Sequence, residues 1–304
     1  MQTLTEIKAL LAERGLAPRK SLGQNFLVDK NLLTRLIDCA NLPPNHPVLE
    51  VGPGTGTLTE TLLTRPGGGH PVIAAELDAG LAQLLRDRIP TLPGIAPGSF
   101  TLVEGDCLGP GRTVAPALLH ALDTTPTHAG KPYALVANLP YAAATPLMIA
   151  LLLAHPRCHT MAVTIQREVA DRLAAKPGSD AYGTLGIVAQ ALAVVEPIAV
   201  LPPECFWPRP EVTSAMVKLT RRPAPPVPFA PIPDAPAAFA TFCQTLFSKR
   251  RKQLGAILGR ATPLPPGFDP AARPETLSVT DLLTLHAFLA DQPPAKPTSS
   301  PAEP

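Results

Sequence analysis

Apolar residues along this chain come in short continuous runs separated by segments with helical spacing. The runs Val48–Gly52, Pro71–Glu76, Phe100–Val103, Ala134–Asn138 and Met161–Ile165 read as buried strands. Between them, Asp29 can cap a helix reaching about Cys39, with Leu32, Leu33, Leu36 and Ile37 on one face. A helix is expected around Leu58–Leu63, and Asp78 can cap another whose Leu81, Leu84, Leu85 and Ile89 share a face. Thr145-Pro146 is expected to open a helix that is apolar all round. Helices follow near Arg167–Ala175 and Tyr182–Leu192, and Ala193–Leu201 and Ser214–Leu219 read as two final strands. This alternation predicts an α/β fold, a parallel or mostly parallel Rossmann-like sheet with helices on both faces. The last two strands are expected to pair as an antiparallel edge.

Beyond residue 236, Phe239, Phe242, Leu246, Leu254, Ile257, Leu258, Leu282, Leu285 and Phe288 keep helical spacing. The expected organisation is a sheet domain over 1–222, a Pro-rich linker over 223–236, a small all-helical domain over 237–291 and a disordered tail over 292–304. The length of 304 residues accommodates two such domains. Most of the 40 prolines sit in clusters between apolar runs, which suits loops.

Five cysteines without a CxxC pair point to a reduced, cytoplasmic protein. His155, Cys158 and His159 lie close together, but no distant Cys or His pair completes a ligand set, so no metal is expected. No signal-peptide pattern opens the chain and no apolar run is long enough for a membrane span. The net charge of +2 does not demand nucleic acid. Its distribution says more: 11 basic residues stand against 8 acidic ones after residue 200, with Lys249, Arg250, Arg251 and Lys252 consecutive. Such a run is either a solvated helix face or a phosphate contact, and its place in the more basic domain favours the second.

Candidate chemistry gathers where the strands end. Glu50-Val51-Gly52-Pro53-Gly54-Thr55-Gly56 leaves the first strand and opens a helix, letting backbone approach a ligand closely. Nicotinamide enzymes use a similar turn, although their GxGxxG spacing differs from the GxGxG found here. Glu76 ends the second strand, where a carboxylate can accept bonds from ribose hydroxyls; the plain alternative is a helix-capping or surface acid. Asp106 follows the third strand and can accept a bond from an adenine amine. All three stand at carboxyl ends of consecutive strands, the ligand side of an open α/β sheet.

Asn138-Leu139-Pro140-Tyr141 ends the fourth strand. An exocyclic adenine amine is a poor nucleophile, because its lone pair is delocalised into the ring. The Asn138 side-chain carbonyl and the Leu139 backbone carbonyl can accept its two hydrogens and turn that lone pair toward a sulfonium methyl. Pro140 stiffens the turn and Tyr141 offers a stacking face. Positioning then supplies most of the rate, and the base must leave any stack to reach the pocket. Phe206, in the segment Phe206–Ser214, can stack on the base's other side; the plain alternative is a Pro-rich loop with a buried aromatic.

The sequence resembles the small-subunit ribosomal RNA adenine dimethyltransferases. The matching segments, from about Lys20 to Leu258, are Ser21-Leu22-Gly23-Gln24-Asn25-Phe26-Leu27, Glu50–Gly56, Glu76, Asp106, Asn138–Tyr141, Gln166-Arg167-Glu168-Val169-Ala170, Pro177–Gly183 and Phe206–Ser214. The resemblance implies a methyltransferase sheet domain with a helical C-terminal domain. It implies N6,N6-dimethylation of two adjacent adenines near the 3′ end of small-subunit rRNA, within an assembling subunit, with S-adenosylmethionine as cofactor. It makes Asn25, Leu27, Gly52, Gly54, Glu76, Asp106 and Asn138 cofactor contacts. Asn138, Leu139, Pro140, Tyr141 and Phe206 become the catalytic clamp, and Lys249–Lys252 an RNA contact. A monomer acting without metal or membrane is expected. Departures are Glu211 and Thr213, where a basic and an acidic residue are expected, and Asp123–Lys131, which reads as a longer loop than usual.

The competing readings are a large-subunit rRNA adenine dimethylase, a non-catalytic ribosome assembly factor and a nicotinamide oxidoreductase. The helical domain carrying Phe247–Lys252 favours the small-subunit type over the first.

Overall fold

The computed structural model describes residues 2–292. Apart from Gln292, the tail expected over 292–304 lies outside the described residues. The chain forms two compact units, Met1–Ala174 with Leu192–Arg222, and Ala175–Ala191 with Pro223–Pro304.

The strands of the first unit are β1 (Phe26–Leu27), β2 (Val48–Val51), β3 (Val72–Glu76), β4 (Phe100–Glu104), β5 (Tyr133–Asn138), β6 (Cys158–Gln166), β7 (Ala193–Leu201), β8 (Phe206–Trp207) and β9 (Ser214–Arg221). Seven of them form one sheet in the order β4-β3-β2-β5-β6-β9-β7. Pairings from β4 through β6 are parallel, whereas β9 runs antiparallel to both its neighbours. The expected antiparallel edge is therefore present, with β9 rather than β7 next to β6. The outermost strand β7 carries Pro197 and a register shift between Pro197 and Ala199, and Arg35 donates to the Ile198 carbonyl at 2.7 Å.

Its helices are α1 (Leu4–Glu13), α2 (Lys30–Ala40), α3 (Thr57–Leu63), α4 (Ala79–Arg88), α5 (Pro116–Thr124), α6 (Tyr141–Ala154) and α7 (Arg167–Leu173). Asp29 and Asp78 cap α2 and α4 as expected, each carboxylate accepting two backbone N–H groups. Leu36 and Ile37 of α2 and Leu62 of α3 bury against Val48, Val72, Ala134 and Val136 on one face of the sheet. The alternate residues Leu49, Ile73, Leu135 and Val163 point to the opposite face and are fully buried.

Two helices escaped the periodicity reading. Thr3 and Glu6 form a reciprocal capping box that starts α1, which buries only Ile7 and Leu11. Pro116 starts α5, which ends at Thr124, at the start of the expected Asp123–Lys131 loop. Helix α6 begins at Tyr141, not at Thr145-Pro146. Pro146 lies inside it, and the carbonyl its missing N–H would have served belongs to the exposed Ala142, which water can satisfy.

The second unit holds α8 (Thr184–Leu192), α9 (Ala235–Phe247), α10 (Leu254–Leu258) and α11 (Val279–Ala290). The segment 175–191, expected in the sheet domain, belongs here because Tyr182, Ile187 and Ala191 share a core with Phe239, Leu246 and Leu254. Val227 and Phe229, expected in a bare linker, pack against that same core. Among the described residues no helix is long and apolar enough to cross a membrane.

At the far end of α6, the half-buried Arg221 donates to the carbonyls of Leu151, Leu152, His155 and Cys158 at 2.8–3.3 Å. The Leu152 and His155 carbonyls are among those a helix end leaves without helical partners, while Leu151 also accepts the His155 N–H at 3.1 Å. Removing it by Arg221→Ala is expected to cost roughly 2–4 kcal/mol, from several buried carbonyls losing a charged donor, measured as a lowered urea midpoint.

The amino ends of the strands carry histidines held neutral. His159 Nε2 lies 2.9 Å from His46 Nε2, and His128 Nε2 lies 3.0 Å from the Val48 carbonyl. Burial, then the neighbouring His159, drives His46 down to about 4 from its ordinary 6.5. Burial also lowers His70, His128 and His159. These groups bind protons more readily in the unfolded chain, so stability is full above about pH 6.5 and falls as pH drops toward about 4. Melting temperature should decline across that window, and less so in His46→Gln.

Candidate active site

The carboxyl ends of β2, β3, β4 and β5 open on one cavity of about 300 Å³. Its floor is the glycine turn after β2. Gly52 has φ +72°, and a Cβ there would stand 2.9 Å from Pro140 Cγ. Gly54 has φ +61°, and a Cβ there would stand 2.7 Å from the Phe26 ring. Only glycine permits both the left-handed backbone and these approaches. The turn thus touches the segment after β5 on one side and the N-terminal segment on the other.

Glu76 is 5% exposed and accepts N–H groups from Gly54 at 3.1 Å and Asp78 at 2.9 Å, one on each oxygen. Burial pushes its carboxyl above the ordinary range, against the pull of those two donors. Each oxygen keeps a second lone pair for a ligand hydroxyl. Asp106 is exposed on the wall and closes a small turn by accepting the Leu108 N–H at 2.9 Å.

Asn138 stands at the end of β5 and donates through Nδ2 to the Asn25 carbonyl at 2.9 Å. A carbonyl can bond only the NH₂ end of a carboxamide, so the orientation is fixed and Oδ1 is left as acceptor. Leu139 N–H donates to the Thr164 carbonyl at 3.1 Å, and the first helical acceptor of α6 is Pro140, one residue later. The Leu139 carbonyl therefore lies between ladder and helix. Tyr141 lines the cavity at the first position of α6, its hydroxyl 2.7 Å from Ser214 Oγ.

Of the residues singled out in the sequence, Asn25, Leu27, Gly52, Gly54, Glu76, Asp106, Asn138, Leu139, Pro140 and Tyr141 share this wall. Phe206 does not. It pairs with Leu27 across β1 and β8, is 4% exposed and belongs to the core with Leu33 and Leu36. Its neighbour Trp207 stacks on Phe26 at 6.1 Å between centroids. Lys249–Lys252 belong to the second unit and form a turn after α9 rather than a helix face. Glu211 is exposed, and Thr213 is fixed by its carbonyl, which accepts the Arg167 N–H at 2.9 Å.

Sequence reasoning missed Glu50, Gln24 and Gln2. Glu50 lines the cavity, is 1% exposed and accepts from Thr59 Oγ1 at 2.7 Å. Burial drives its carboxyl up to about 8, the Glu76 charge adding to the effect. A lone acid inside an otherwise apolar strand was the available signal. Gln24 donates to Asp78 at 3.2 Å, and the buried Gln2 donates to the Thr55 carbonyl at 2.9 Å, so the N-terminal segment straps the glycine turn.

Among the described residues, three carboxyl groups and no Lys, Arg or His line the cavity. That wall suits a cationic ligand bearing a ribose and opposes a pyrophosphate, which disfavours a dinucleotide. S-adenosylmethionine, a sulfonium carrying an adenosine, would fit these groups: Glu76 would accept from the ribose hydroxyls, Asp106 from the adenine amine, and the glycine turn would allow close backbone approach.

Comparison with known proteins gives the family. The family described as ribosomal RNA adenine dimethylase matches residues 15–268. Ribosomal RNA small subunit methyltransferase A of Magnetococcus marinus is 39% identical over 303 residues, covering 97% of this chain and 98% of that one. Its namesake in Geobacillus kaustophilus is 34% identical over 296 residues, covering 93% and 94%. The crystal structure of the 23S rRNA methyltransferase ErmE superposes with a TM-score of 0.59 at 25% identity, over 86% of this chain and 99% of that one. A dimethyladenosine transferase from Plasmodium falciparum shares the fold, with a TM-score of 0.63 at 22% identity over 84% and 94%. The chain belongs to the ribosomal RNA adenine dimethylase family, and with it to the S-adenosylmethionine-dependent methyltransferases.

Proposed function

We propose that the protein dimethylates the N6 amines of two adjacent adenines near the 3′ end of small-subunit rRNA, in the cytoplasm, during maturation of that subunit. The observation that carries this reading is the pinned carboxamide of Asn138, whose NH₂ is committed to Asn25 so that Oδ1 can only accept. Relatives named as small-subunit methyltransferases at 34–39% identity favour that target over the large subunit.

S-adenosylmethionine, when bound, supplies a methyl group on a positively charged sulfur. The chain's own residues do the rest. Asn138 Oδ1 and the Leu139 carbonyl accept the two N6 hydrogens, which swings the nitrogen lone pair out of conjugation and toward the methyl. Pro140, packed against Gly52, keeps both acceptors in place. Tyr141 stacks on the flipped base. The transfer needs orientation and exclusion of water rather than prior loss of a proton.

The basic turn supplies the RNA contact. Lys249, Arg251 and Lys252 are exposed, while Arg250 pairs with Glu275 at 3.1 Å and donates to the Asp180 carbonyl at 3.2 Å. Arg250 therefore orders the turn, and its three neighbours meet phosphates. One copy of the chain contains the whole proposed clamp.

The deciding experiment is methyl transfer to undermethylated small subunits followed by mapping of the modified nucleotides; dimethylated adjacent adenines near the 3′ end are expected, and modification elsewhere would overturn the target. Tyr141→Ala should lower turnover about tenfold to a hundredfold, the worth of one base stack, with cofactor affinity little changed. Glu76→Ala should weaken cofactor binding by a similar factor, read by calorimetry. Replacing Lys249, Arg251 and Lys252 together by Gln should flatten the salt dependence of subunit binding, by about 0.7 in log–log slope per lost phosphate contact.

A further inference from the structure

We propose that Ser214 is a positioning residue, a tether that sets the plane of the Tyr141 ring before the target base arrives. The proposal rests on the stacking role of Tyr141 given above. Tyr141 has only its backbone position at the start of α6 to fix it from one end, and two rotatable bonds separate that backbone from its ring. The other end of the ring is the phenolic oxygen, 2.7 Å from Ser214 Oγ.

Ser214 is a rigid post. It is 0% exposed and starts β9, with its backbone in register between Gln166 of β6 and Leu201 of β7. The preceding Thr213 carbonyl accepts the Arg167 N–H at 2.9 Å, anchoring the approach to the strand as well. The half-buried Tyr141 ring is thus held at both ends on the cavity wall. A stacking surface held in this way loses no rotamer freedom when the base arrives. Tyr141 acts through its face alone: burial raises its phenol above the ordinary range, and the hydroxyl is engaged by Ser214.

The test is a double-variant cycle on the full chain, with undermethylated small subunits as substrate. Tyr141→Phe keeps the aromatic face and loses the tether; Ser214→Ala loses the tether from the other end. Each is expected to lower kcat about tenfold while leaving S-adenosylmethionine affinity by calorimetry within twofold of wild type. The double variant should be no worse than either single one. A second readout needs no turnover. The chain has three tyrosines, the other two being Tyr133 and Tyr182, each 1% exposed. In tyrosine-labelled protein, NMR couplings of the Tyr141 β-protons should report one rotamer in wild type and an average in Ser214→Ala, with Tyr133 and Tyr182 unmoved. Wild-type turnover in either single variant, additive losses in the double variant, or a single Tyr141 rotamer surviving in Ser214→Ala would each overturn the tether. Failure of the underlying reading looks different: wild-type protein would then transfer no methyl to the subunits.

Discussion

One hydrogen bond organises the site, the 2.9 Å contact from Asn138 Nδ2 to the Asn25 carbonyl. It joins residues 113 positions apart and decides which end of a carboxamide is available to a substrate. Asparagine is symmetric in shape but not in chemistry. Turned the other way, it would present donors to an amine that already carries two hydrogens. The fold supports the contact from both sides: Pro140 presses against Gly52, and Phe26 presses against Gly54. The glycine turn is therefore a bearing surface between strap and strand end as well as a place where backbone meets ligand.

The electrostatics of the wall follow from the burial of Glu50 and Glu76. Burial raises Glu50 and Glu76, and both lie where a cationic ligand would relieve the cost of charge in a poorly solvated place. Glu76 is already oriented by two backbone donors, and Glu50 by the Thr59 hydroxyl. The carboxyl groups are thus arranged in advance, which limits the reorganisation needed on binding.

Much of this was legible in the sequence because it is local. Buried parallel strands are continuous apolar runs, so β2 through β6 were placed to within a few residues. Asp29 and Asp78 announced their helices as caps, and the wall residues from the glycine turn to Tyr141 sit at strand ends. What failed was non-local or faint. Helix α1 has too few buried positions to show a period, although its Thr3–Glu6 box was written in the chain. Phe206 stands off the cavity wall because it pairs with Leu27, far away in sequence, a partnership no local pattern shows. Segment 175–191 looked like a continuation of the sheet domain, yet its apolar side chains find their core in residues that come later. Glu50 was overlooked because a motif read for its glycines hides the acid that precedes them.

The outer strand of the sheet shows how such a fold avoids an unwanted neighbour. An open border of peptide groups can recruit another chain. Along β7, Pro197 withholds a donor, the register slips before Ala199, and Arg35 already occupies the Ile198 carbonyl. The border is interrupted halfway along, and a foreign strand laid there would find no unbroken ladder to extend.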